Sequence, residues 1–329
     1  KGTNLKQSTA ITFACSLHQN PHPKDIHITF KEEGHLLRMI SKERIRDEFV
    51  KILMSKNPDK AIEKMRESKI LQYVLPELEE GYEIRQNKHH IYTIWEHNMR
   101  ALMHSVEKDW PLDIRLASLL HDIGKPRSKR GEGPNSTFYG HEVIGAKITA
   151  QILTRLKFSK KFTEKIVKLV RWHLFFSDVE KITLSAVRRM VSNVGEEDIW
   201  DLMKVRFSDR VGMGRPKEEP YRLRKYESMI EEALRDPLSV KMLAVNGDDV
   251  IKIANIKPGP KIGFLLNILL EEVLDDPKLN TKEYLEKRLN DLSNMSDEDL
   301  EDISKKAKQK TFSEEEKEIK EIRKKYRVS

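Results

Sequence analysis

The sequence contains almost no cysteine, no long apolar run and few stretches of alternating polarity. Its single cysteine, Cys15, excludes an internal disulfide and any thiolate metal cluster. No apolar run approaches the length of a membrane span, and residues 1–17 lack the pattern of a secretory signal. We therefore expect a soluble, cytoplasmic protein with no membrane partner.

Strand-like alternation is scarce, whereas apolar residues recur at three- and four-residue spacing in nearly every long segment. With 329 residues, of which 38% are hydrophobic, the chain is long enough for two or three domains with cores of their own. We predict an all-α, multi-helical protein. One predicted helix begins after Ser41, a suitable N-cap residue, and ends near Asn57 and Pro58.

Proline and glycine residues divide the chain into three predicted regions. Pro76 and Gly81 suggest a first boundary, and the segment from Gly212 to Pro216 suggests a second. We predict a helical region over residues 1–80, of which 1–35 are poorly patterned, a histidine-rich domain over 81–215, and a helical tail over 216–329. In the extension 296–329 charges alternate in sign, which is typical of a solvated helix.

Basic residues outnumber acidic residues by 61 to 53, which gives a net charge of +8. This excess favours polyanionic partners, although a basic solvated surface explains it as well. Many of the basic residues occur in clusters along the chain. These clusters contain few aromatic residues that could stack on unpaired bases, which favours a folded RNA over a single strand. They include Lys125, Arg127, Lys129 and Arg130, and farther along the chain Arg206, Arg210, Arg215 and Lys217.

The most informative segment is Ile114–Pro126, in which an apolar helical run ends at the adjacent pair His121 and Asp122. Gly124 stops the helix directly after the pair. An imidazole and a carboxylate are costly to place beside a core unless something pairs with them, and a divalent metal suits both. Lys125 adds a positive charge that suits a phosphate-bearing substrate. A hydrogen-bonded helix terminus is the structural alternative for the pair.

Four further residues could join this pair at a metal site, namely His97, His141, His173 and Asp209. Helical spacing places His97 opposite the apolar face of its own helix, which favours solvent exposure for this side chain. Each of the others also has a structural alternative: Asp209 could pair with Arg206, His173 could be a core residue, and His141 could belong to a helix N-terminal region. The metal interpretation therefore depends on all of these residues together.

One histidine, a His-Asp doublet and a distant aspartate form a pattern that resembles the HD-domain metal-dependent phosphohydrolases. The resemblance implies that His97, His121, Asp122 and Asp209 bind one divalent metal, and that Asp122 bridges to a second metal held by His141 and His173. It also implies that Asp122 and Lys125 are catalytic, with Lys125 holding the substrate phosphate. Manganese, iron, nickel, cobalt, zinc and magnesium all suit such ligands, and two adjacent metals can activate water and neutralise a phosphoester.

A narrower resemblance covers roughly residues 36–290. The segments Ser41–Leu53, Leu75–Leu78, His89–His97 and Leu116–Pro126 resemble the neck and HD regions of bacterial tRNA nucleotidyltransferases, the CCA-adding enzymes, and of their poly(A) polymerase relatives. The segments Val245–Asp249 and Ile256–Gly263 resemble the tail of that family, which implies contact with the tRNA body. Between Lys257 and Lys261, prolines and a glycine separate two helices, where freed backbone amides could bind an RNA phosphate; a plain turn is the alternative.

The sequence departs from that family in the features that carry nucleotidyl transfer. In the family this activity belongs to an N-terminal head with a glycine-rich turn and an Asp-x-Asp pair that binds magnesium. The sequence has no Gly-Gly dipeptide, and its only Asp-x-Asp, from Asp297 to Asp299, lies in the charged extension. The Glu-Asp-x-x-Arg motif of the neck is also absent. We therefore expect that this polypeptide does not add nucleotides by itself.

Three functions are compatible with these patterns. The first is metal-dependent hydrolysis of a phosphoester, as a phosphodiesterase or phosphatase that acts on or with tRNA or another structured RNA in tRNA processing. The second is a non-catalytic RNA-binding scaffold that positions tRNA for a separate nucleotidyltransferase head. The third is hydrolysis of a free nucleotide or cyclic dinucleotide on the same scaffold.

Overall fold

The computed structural model describes residues 34–87, 91–174, 182–215 and 217–306, and within these ranges it confirms the all-α prediction. Extended pairing in the described residues consists of two isolated bridges, Arg85 with Thr93 and Arg130 with Thr137. The chain divides into two compact units. One comprises Lys1–Leu174 and Trp200–Glu218, and the other comprises Phe175–Ile199 and Glu219–Ser329.

The first unit contains ten α-helices among its described residues. They are α1 (Lys42–Leu53), α2 (Pro58–Glu67), α3 (Leu71–Val74), α4 (Pro76–Glu79), α5 (Ile94–Glu107), α6 (Leu112–Leu120), α7 (Lys125–Ser128), α8 (His141–Arg155), α9 (Lys160–Trp172) and α11 (Ile199–Gly212), whose first residue belongs to the second unit. Short 3-10 turns cover Gly34–Met39 and Gly133–Asn135.

Polar side chains cap several of these helices where the sequence provides them. The Ser41 hydroxyl accepts a hydrogen bond from the Arg44 amide at the start of α1, as the sequence predicts. Thr93 and Glu96 form a reciprocal capping box at the start of α5. The Thr93 capping box fixes the residue at which α5 begins, and therefore the position of every side chain that α5 carries.

Apolar side chains hold α5, α6, α8 and α9 together. Helix α5 packs on α6, α8 packs on α9, and α9 also packs on α6. Leu102, Ile114, Leu120, Leu153 and Leu169 are fully buried at these contacts. Each such burial stabilises the fold by roughly 1.5–3 kcal/mol. The packing brings the C-terminal ends of α6 and α9 and the N-terminal end of α8 to one place.

The second unit is also helical in its described part. It contains α10 (Leu184–Val194), α12 (Tyr221–Ala233), α13 (Gly247–Ala254), α14 (Pro260–Asp275) and α15 (Lys282–Ser293), with 3-10 turns at Val240–Met242 and Pro277–Leu279, and residues 297–306 are helical as well. Tyr226, Leu269 and Leu289 belong to its core. The buried Arg189 of α10 pairs with Glu271 and Asp275 of α14. The predicted boundaries near residues 80 and 215 stay predictions. Among the described helices, none has the length and apolar composition needed to cross a bilayer.

An ion pair inside the first unit gives the fold a measurable pH dependence. Arg155 of α8 donates hydrogen bonds of 2.5 and 2.8 Å to the two carboxylate oxygens of Glu77 in α4. Burial opposes ionisation of Glu77, but the bonds from Arg155 outweigh it and lower the pKa of the carboxyl group. Because this pKa is lower in the folded state, the pair adds stability above the unfolded pKa, about 4.3, and loses it as the pH falls further.

We expect Glu77→Gln to reduce the free energy of unfolding by about 1 kcal/mol at pH 7 and by less at pH 3.5. Urea denaturation at the two pH values measures this difference. Glu79, on the same helix, is the control because burial raises the pKa of its carboxyl group. Glu79→Gln should therefore be neutral or slightly stabilising at pH 7. Equal losses for Glu77→Gln at both pH values would contradict the ion-pair explanation.

Candidate metal centre

Helix ends supply most of the side chains in one buried cluster of the first unit. His121 and Asp122 directly follow α6, His141 is the first residue of α8, and His173 directly follows α9. His97 and Asp209 come from within α5 and α11. All six side chains are buried. The structure thus brings together every residue that the sequence predicts as a metal ligand.

Four of these residues form one group of converging ligand atoms. The Nε2 atoms of His97 and His121 are 2.8 Å apart. The Oδ2 atom of Asp122 lies 3.1 Å from His97 Nε2 and 3.3 Å from His121 Nε2. The Oδ1 atom of Asp209 lies 3.3 Å from His97 Nε2 and 3.6 Å from His121 Nε2. Two imidazoles and two carboxylates therefore face one point.

A second group shares Asp122 with the first. The other oxygen of this carboxylate, Oδ1, lies 3.3 Å from His141 Nε2 and 3.5 Å from His173 Nε2. The rings of His141 and His173 have centroids 5.3 Å apart, and those of His121 and His173 are 5.1 Å apart. In each group, all ligand atoms lie within 4.8 Å of one another. Asp122 consequently presents one oxygen to each group.

Backbone carbonyls fix the orientation of three of the four imidazoles. The Nδ1 atoms of His121, His141 and His173 donate to the carbonyls of Ser118, Phe138 and Val170, at 2.8, 2.7 and 2.7 Å respectively. In each case the acceptor lies three residues earlier in the chain. A hydrogen on Nδ1 leaves the Nε2 lone pair free to bind a metal, and such outer contacts are typical of metal-binding histidines.

The chemistry of the donor set fits a divalent cation. Imidazole nitrogen and carboxylate oxygen suit manganese, iron, cobalt, nickel or zinc, and the described ligands include no sulfur atom. The Nε2 atom of His141 is buried and makes no hydrogen bond within the described residues, although it faces Asp122. A buried polar atom without a hydrogen bond costs free energy, and coordination to a metal would remove that cost.

Electrostatics within the cluster keep both carboxylates ionised. Burial opposes their ionisation, but Lys125 and His121 hold the pKa of Asp122 well below its usual range, and Arg206 does the same for Asp209. Burial likewise disfavours a charged His121, but the two carboxylates raise its pKa to about 10. Burial lowers the pKa of His173. The two ionised carboxylates therefore favour a positive charge on the imidazoles beside them, which a proton or a metal cation can supply.

The structural alternatives considered for these residues coexist with the cluster. Asp209 does pair with Arg206, but through Oδ2, while its Oδ1 faces His97 and His121. His173 is buried like a core residue, and His141 stands at a helix N-terminus. These local interactions position the same side chains toward one another instead of replacing the cluster.

His97 is not exposed, although the spacing along α5 taken alone favours solvent. Its side chain is fully buried, and His104 on the same stripe of α5 is nearly so. Helix α5 is covered on both faces, because the end of α11 approaches the face that carries His97. A Cβ atom placed on Gly212 would lie 2.9 Å from the His97 carbonyl oxygen. A second covering helix cannot be inferred from the periodicity of α5 alone.

Lys125 also joins the site, together with a residue that the sequence reasoning missed. The buried Lys125 ammonium group lies 2.5 Å from Asp122 Oδ2 and donates a 2.7 Å hydrogen bond to Gln86 Oε1. Gln86 is buried, and its own Nε2 donates to the Tyr92 carbonyl at 3.3 Å. No motif marks Gln86, since a glutamine within an irregular segment carries no spacing signal.

The other predicted phosphate-binding residues belong to both units. Arg127 forms two hydrogen bonds, of 2.8 and 2.5 Å, with Glu80. Lys129 pairs with Glu132 at 3.1 Å, and Arg130 is exposed beside its bridge to Thr137. Arg210 donates a hydrogen bond to the Lys217 carbonyl at 2.6 Å. The last two residues belong to the second unit, where Lys257 is exposed and Lys261 pairs with Asp297 at 3.1 Å. His89 and His90 lie outside the described residues.

Two regions of the chain match known families. Residues 24–81 match the family described as the probable RNA and SrmB-binding site of polymerase A, and residues 94–199 match the HD domain family. The six clustered residues run from His97 to Asp209, so five of them lie within the HD match. Most of the predicted metal cluster therefore lies within the region that matches the HD domain family, the family that the pattern of these residues resembles.

Curated relatives extend the similarity beyond these two regions. A CC-adding tRNA nucleotidyltransferase of Thermus thermophilus is 30% identical over 257 residues, which are 76% of this chain and 57% of the relative. An A-adding tRNA nucleotidyltransferase of Deinococcus radiodurans is 30% identical over 236 residues, 70% of this chain and 54% of the relative. A multifunctional CCA protein of Neisseria meningitidis is 28% identical over 208 residues, 61% of this chain and 49% of the relative.

The chain thus spans about half the length of the relatives that it matches. The matches to an RNA-binding region and an HD domain occur in the same order and in one chain. The chain is therefore similar to the tRNA nucleotidyltransferases over most of its length, and it contains a region that matches the RNA-binding family of polymerase A and a region that matches the HD domain family.

Proposed function

We propose that this protein is a metal-dependent phosphohydrolase whose site is the cluster around Asp122. The observation that carries the proposal is the division of the Asp122 carboxylate between two groups, with Oδ2 facing His97 and His121 and Oδ1 facing His141 and His173. Two neighbouring cations bound in this way would activate water and neutralise charge on a phosphoester.

The side chains of the cluster have distinct roles in this proposal. His97, His121, Asp122 and Asp209 would hold one cation, and Asp122, His141 and His173 would hold the other. The ammonium group of Lys125 binds a non-bridging phosphate oxygen and stabilises the charge that develops on it during hydrolysis. Asp122 and Lys125 are therefore the residues on which the rate depends most.

RNA is the substrate class that the rest of the chain favours. Residues 24–81 match a family described by RNA binding, and the names of the relatives from Thermus thermophilus and Deinococcus radiodurans describe enzymes that act on tRNA. Arg130 and Lys257 are exposed basic residues that could contact a phosphate backbone. We infer that the phosphoester belongs to a tRNA or another structured RNA, and that the protein acts in the cytoplasm.

The first experiment measures metal content and hydrolysis in the purified protein. We expect about two equivalents of manganese or nickel per chain, and metal-dependent hydrolysis of a chromogenic bis-phosphoester and of a 2′,3′-cyclic nucleotide. Loss of both after chelation, and recovery on adding manganese, would support the proposal. Protein that binds no divalent metal at neutral pH would exclude it.

Replacing one histidine of the second group should separate the two cations. We expect His141→Gln to reduce bound manganese from two equivalents to one and to lower the hydrolysis rate about 100-fold, because one cation and its contact with the phosphoester are lost. His104→Gln is the matched control. His104 is a buried histidine of α5 outside both groups, with Nδ1 3.2 Å from the Ser208 hydroxyl. Equal metal loss in both variants would contradict the assignment of His141.

A non-catalytic RNA-binding scaffold is the second candidate function. It is favoured by the names of the relatives, which describe nucleotide addition to tRNA, and by the partial coverage of those relatives. On this alternative, the protein positions tRNA for a separate nucleotidyltransferase head. Protein that binds tRNA tightly, holds metal and hydrolyses no phosphoester would support it. A strong preference for free nucleotides over any RNA would instead favour a nucleotide phosphohydrolase.

A further inference from the structure

The buried ammonium group of Lys125 needs more contacts than the metal-ligand residues supply. An ammonium group has three N–H donors and is costly to bury unless acceptors surround it. Asp122 supplies an ion pair of 2.5 Å, but Asp122 is also the carboxylate that faces all four histidines. A flexible lysine held by this single contact would have no defined direction relative to a substrate.

Gln86 supplies a hydrogen-bond acceptor for the ammonium group. Its Oε1 atom lies 2.7 Å from Lys125 Nζ. An ammonium group only donates, so the amide must turn its oxygen toward the lysine. The amide nitrogen points the other way and donates to the Tyr92 carbonyl at 3.3 Å. Both polar ends of Gln86 are thus engaged, and the side chain has one satisfied orientation.

The backbone around Gln86 is attached to helix α5, which carries His97. The Ile94 amide donates to the Ile84 carbonyl at 2.9 Å, and the Trp95 amide donates to the Gly81 carbonyl at 3.2 Å. Arg85 and Thr93 form an antiparallel bridge directly beside Gln86. Gln86 therefore has a fixed position relative to a proposed ligand, although it lies between the two regions that match known families, residues 24–81 and 94–199.

A neutral amide suits this role better than a carboxylate would. It accepts a hydrogen bond from the ammonium group without cancelling its charge, whereas a second carboxylate beside Asp122 would neutralise it further. With an ion pair to Asp122 and one N–H donated to Gln86, the rest of the Lys125 ammonium group has a defined direction in which to meet an anionic oxygen. Only Asp122 then offsets the positive charge of Lys125, and part of that charge remains available for the contact.

We propose that Gln86 is a positioning residue that holds the Lys125 ammonium group in the direction from which it binds a phosphate oxygen at the metal centre. This inference deepens the proposed function and rests on it for the identity of the substrate. Gln86 itself does not touch the reacting atoms. Its effect should therefore pass entirely through Lys125, and it should disappear when Lys125 is absent.

A double-mutant cycle tests this dependence with inorganic phosphate as the probe. Isothermal titration of phosphate into manganese-loaded protein is performed on the wild type, Gln86→Met, Lys125→Met and the double variant. We expect each single variant to bind phosphate about tenfold more weakly, and the double variant to match Lys125→Met. Metal content should stay at the wild-type value in all four proteins. Gln72→Met, at an exposed glutamine of the same unit, should change nothing.

Gln86→Glu gives a second readout in a variant that keeps an acceptor for Lys125. We expect it to retain wild-type metal content and also to lose phosphate affinity, because the added negative charge opposes an anionic ligand. This variant keeps the test decisive if Gln86→Met does not fold. Wild-type phosphate affinity in both Gln86 variants, or additive losses in the double variant, would overturn the inference. So would a wild-type protein that binds no phosphate.

The same proteins separate failure of this inference from failure of the proposed function. Phosphate binding that depends on Gln86 through Lys125, in a protein that hydrolyses no phosphodiester, would confirm the positioning role and reject hydrolysis. Hydrolysis that is insensitive to both Gln86 variants would support the proposed function and reject the positioning role. In an active protein, we expect Gln86→Met to reduce kcat/KM to the value of Lys125→Met.

Discussion

Asp122→Asn should abolish divalent metal binding by the whole cluster, including the group that contains His141 and His173. The asparagine has nearly the same shape, but it removes the charge that faces four imidazoles and one ammonium group. Both oxygens of Asp122 are in use, so neither group keeps its full ligand set. We expect hydrolysis to fall at least 1,000-fold, because both cations contribute to water activation and charge neutralisation.

The thermal stabilisation by manganese provides a measurement that does not require activity. A ligand present at 100 times its Kd stabilises the folded state by about 2.7 kcal/mol, which raises Tm measurably. Wild-type protein should show this increase, and Asp122→Asn should show none while still binding tRNA. Asp47→Asn, at an exposed aspartate of α1, is the control and should behave like the wild type. A manganese-dependent increase in Tm in Asp122→Asn would show that the metal binds elsewhere.

Gly124→Ala should destabilise the first unit and separate two parts of the metal centre. Gly124 lies two residues after Asp122, where the chain passes the start of α8. A Cβ atom at this position would lie 2.1 Å from the His141 carbonyl oxygen and 2.5 Å from the Gly145 amide nitrogen, both backbone atoms. Backbone cannot yield as a flexible side chain can, so we expect a loss of about 3 kcal/mol or more in the free energy of unfolding.

The opposite side of the same contact provides the matched control. A Cβ atom on Gly145 would lie 3.4 Å from the Gly124 nitrogen and 3.4 Å from Val170 Cγ1, which are ordinary contact distances. Alanine also has a higher helix propensity than glycine, by about 1 kcal/mol. We therefore expect Gly145→Ala to stay within about 1 kcal/mol of the wild type and to keep its metal. Similar losses in both variants, measured by urea denaturation, would contradict the close-approach argument.

The sequence indicates which residues form the metal cluster, but it does not indicate the backbone contacts that give the cluster its geometry. His121, Asp122 and Lys125 are recognisable because polar residues directly follow an apolar helix. Gly124 is recognisable too, but as a helix stop. In the structure its backbone is right-handed, with φ of −83°, so the close approach of α8 is what requires glycine. Such an approach between segments distant in the chain leaves no local pattern.

Two other features depend on tertiary packing in the same way. The spacing along α5 favours solvent for His97, and only the approach of α11 shows why that side chain is buried. Gln86 stands in an irregular segment, and its partnership with Lys125 joins positions that no periodicity relates. The all-α fold, in contrast, follows directly from apolar spacing, and the start of α1 follows from Ser41.

The distribution of the ligands over helices that are distant in the chain has a consequence for folding. A cation bound between His97, His121 and Asp209 would close loops from α5 to α11, in a polypeptide whose one sulfhydryl cannot form an internal cross-link. Such closure restricts the unfolded chain much as a disulfide does, and its benefit grows slowly with loop length. Bound metal would therefore act as a reversible cross-link. The resistance of the first unit to proteases should increase when metal binds and decrease when metal is removed.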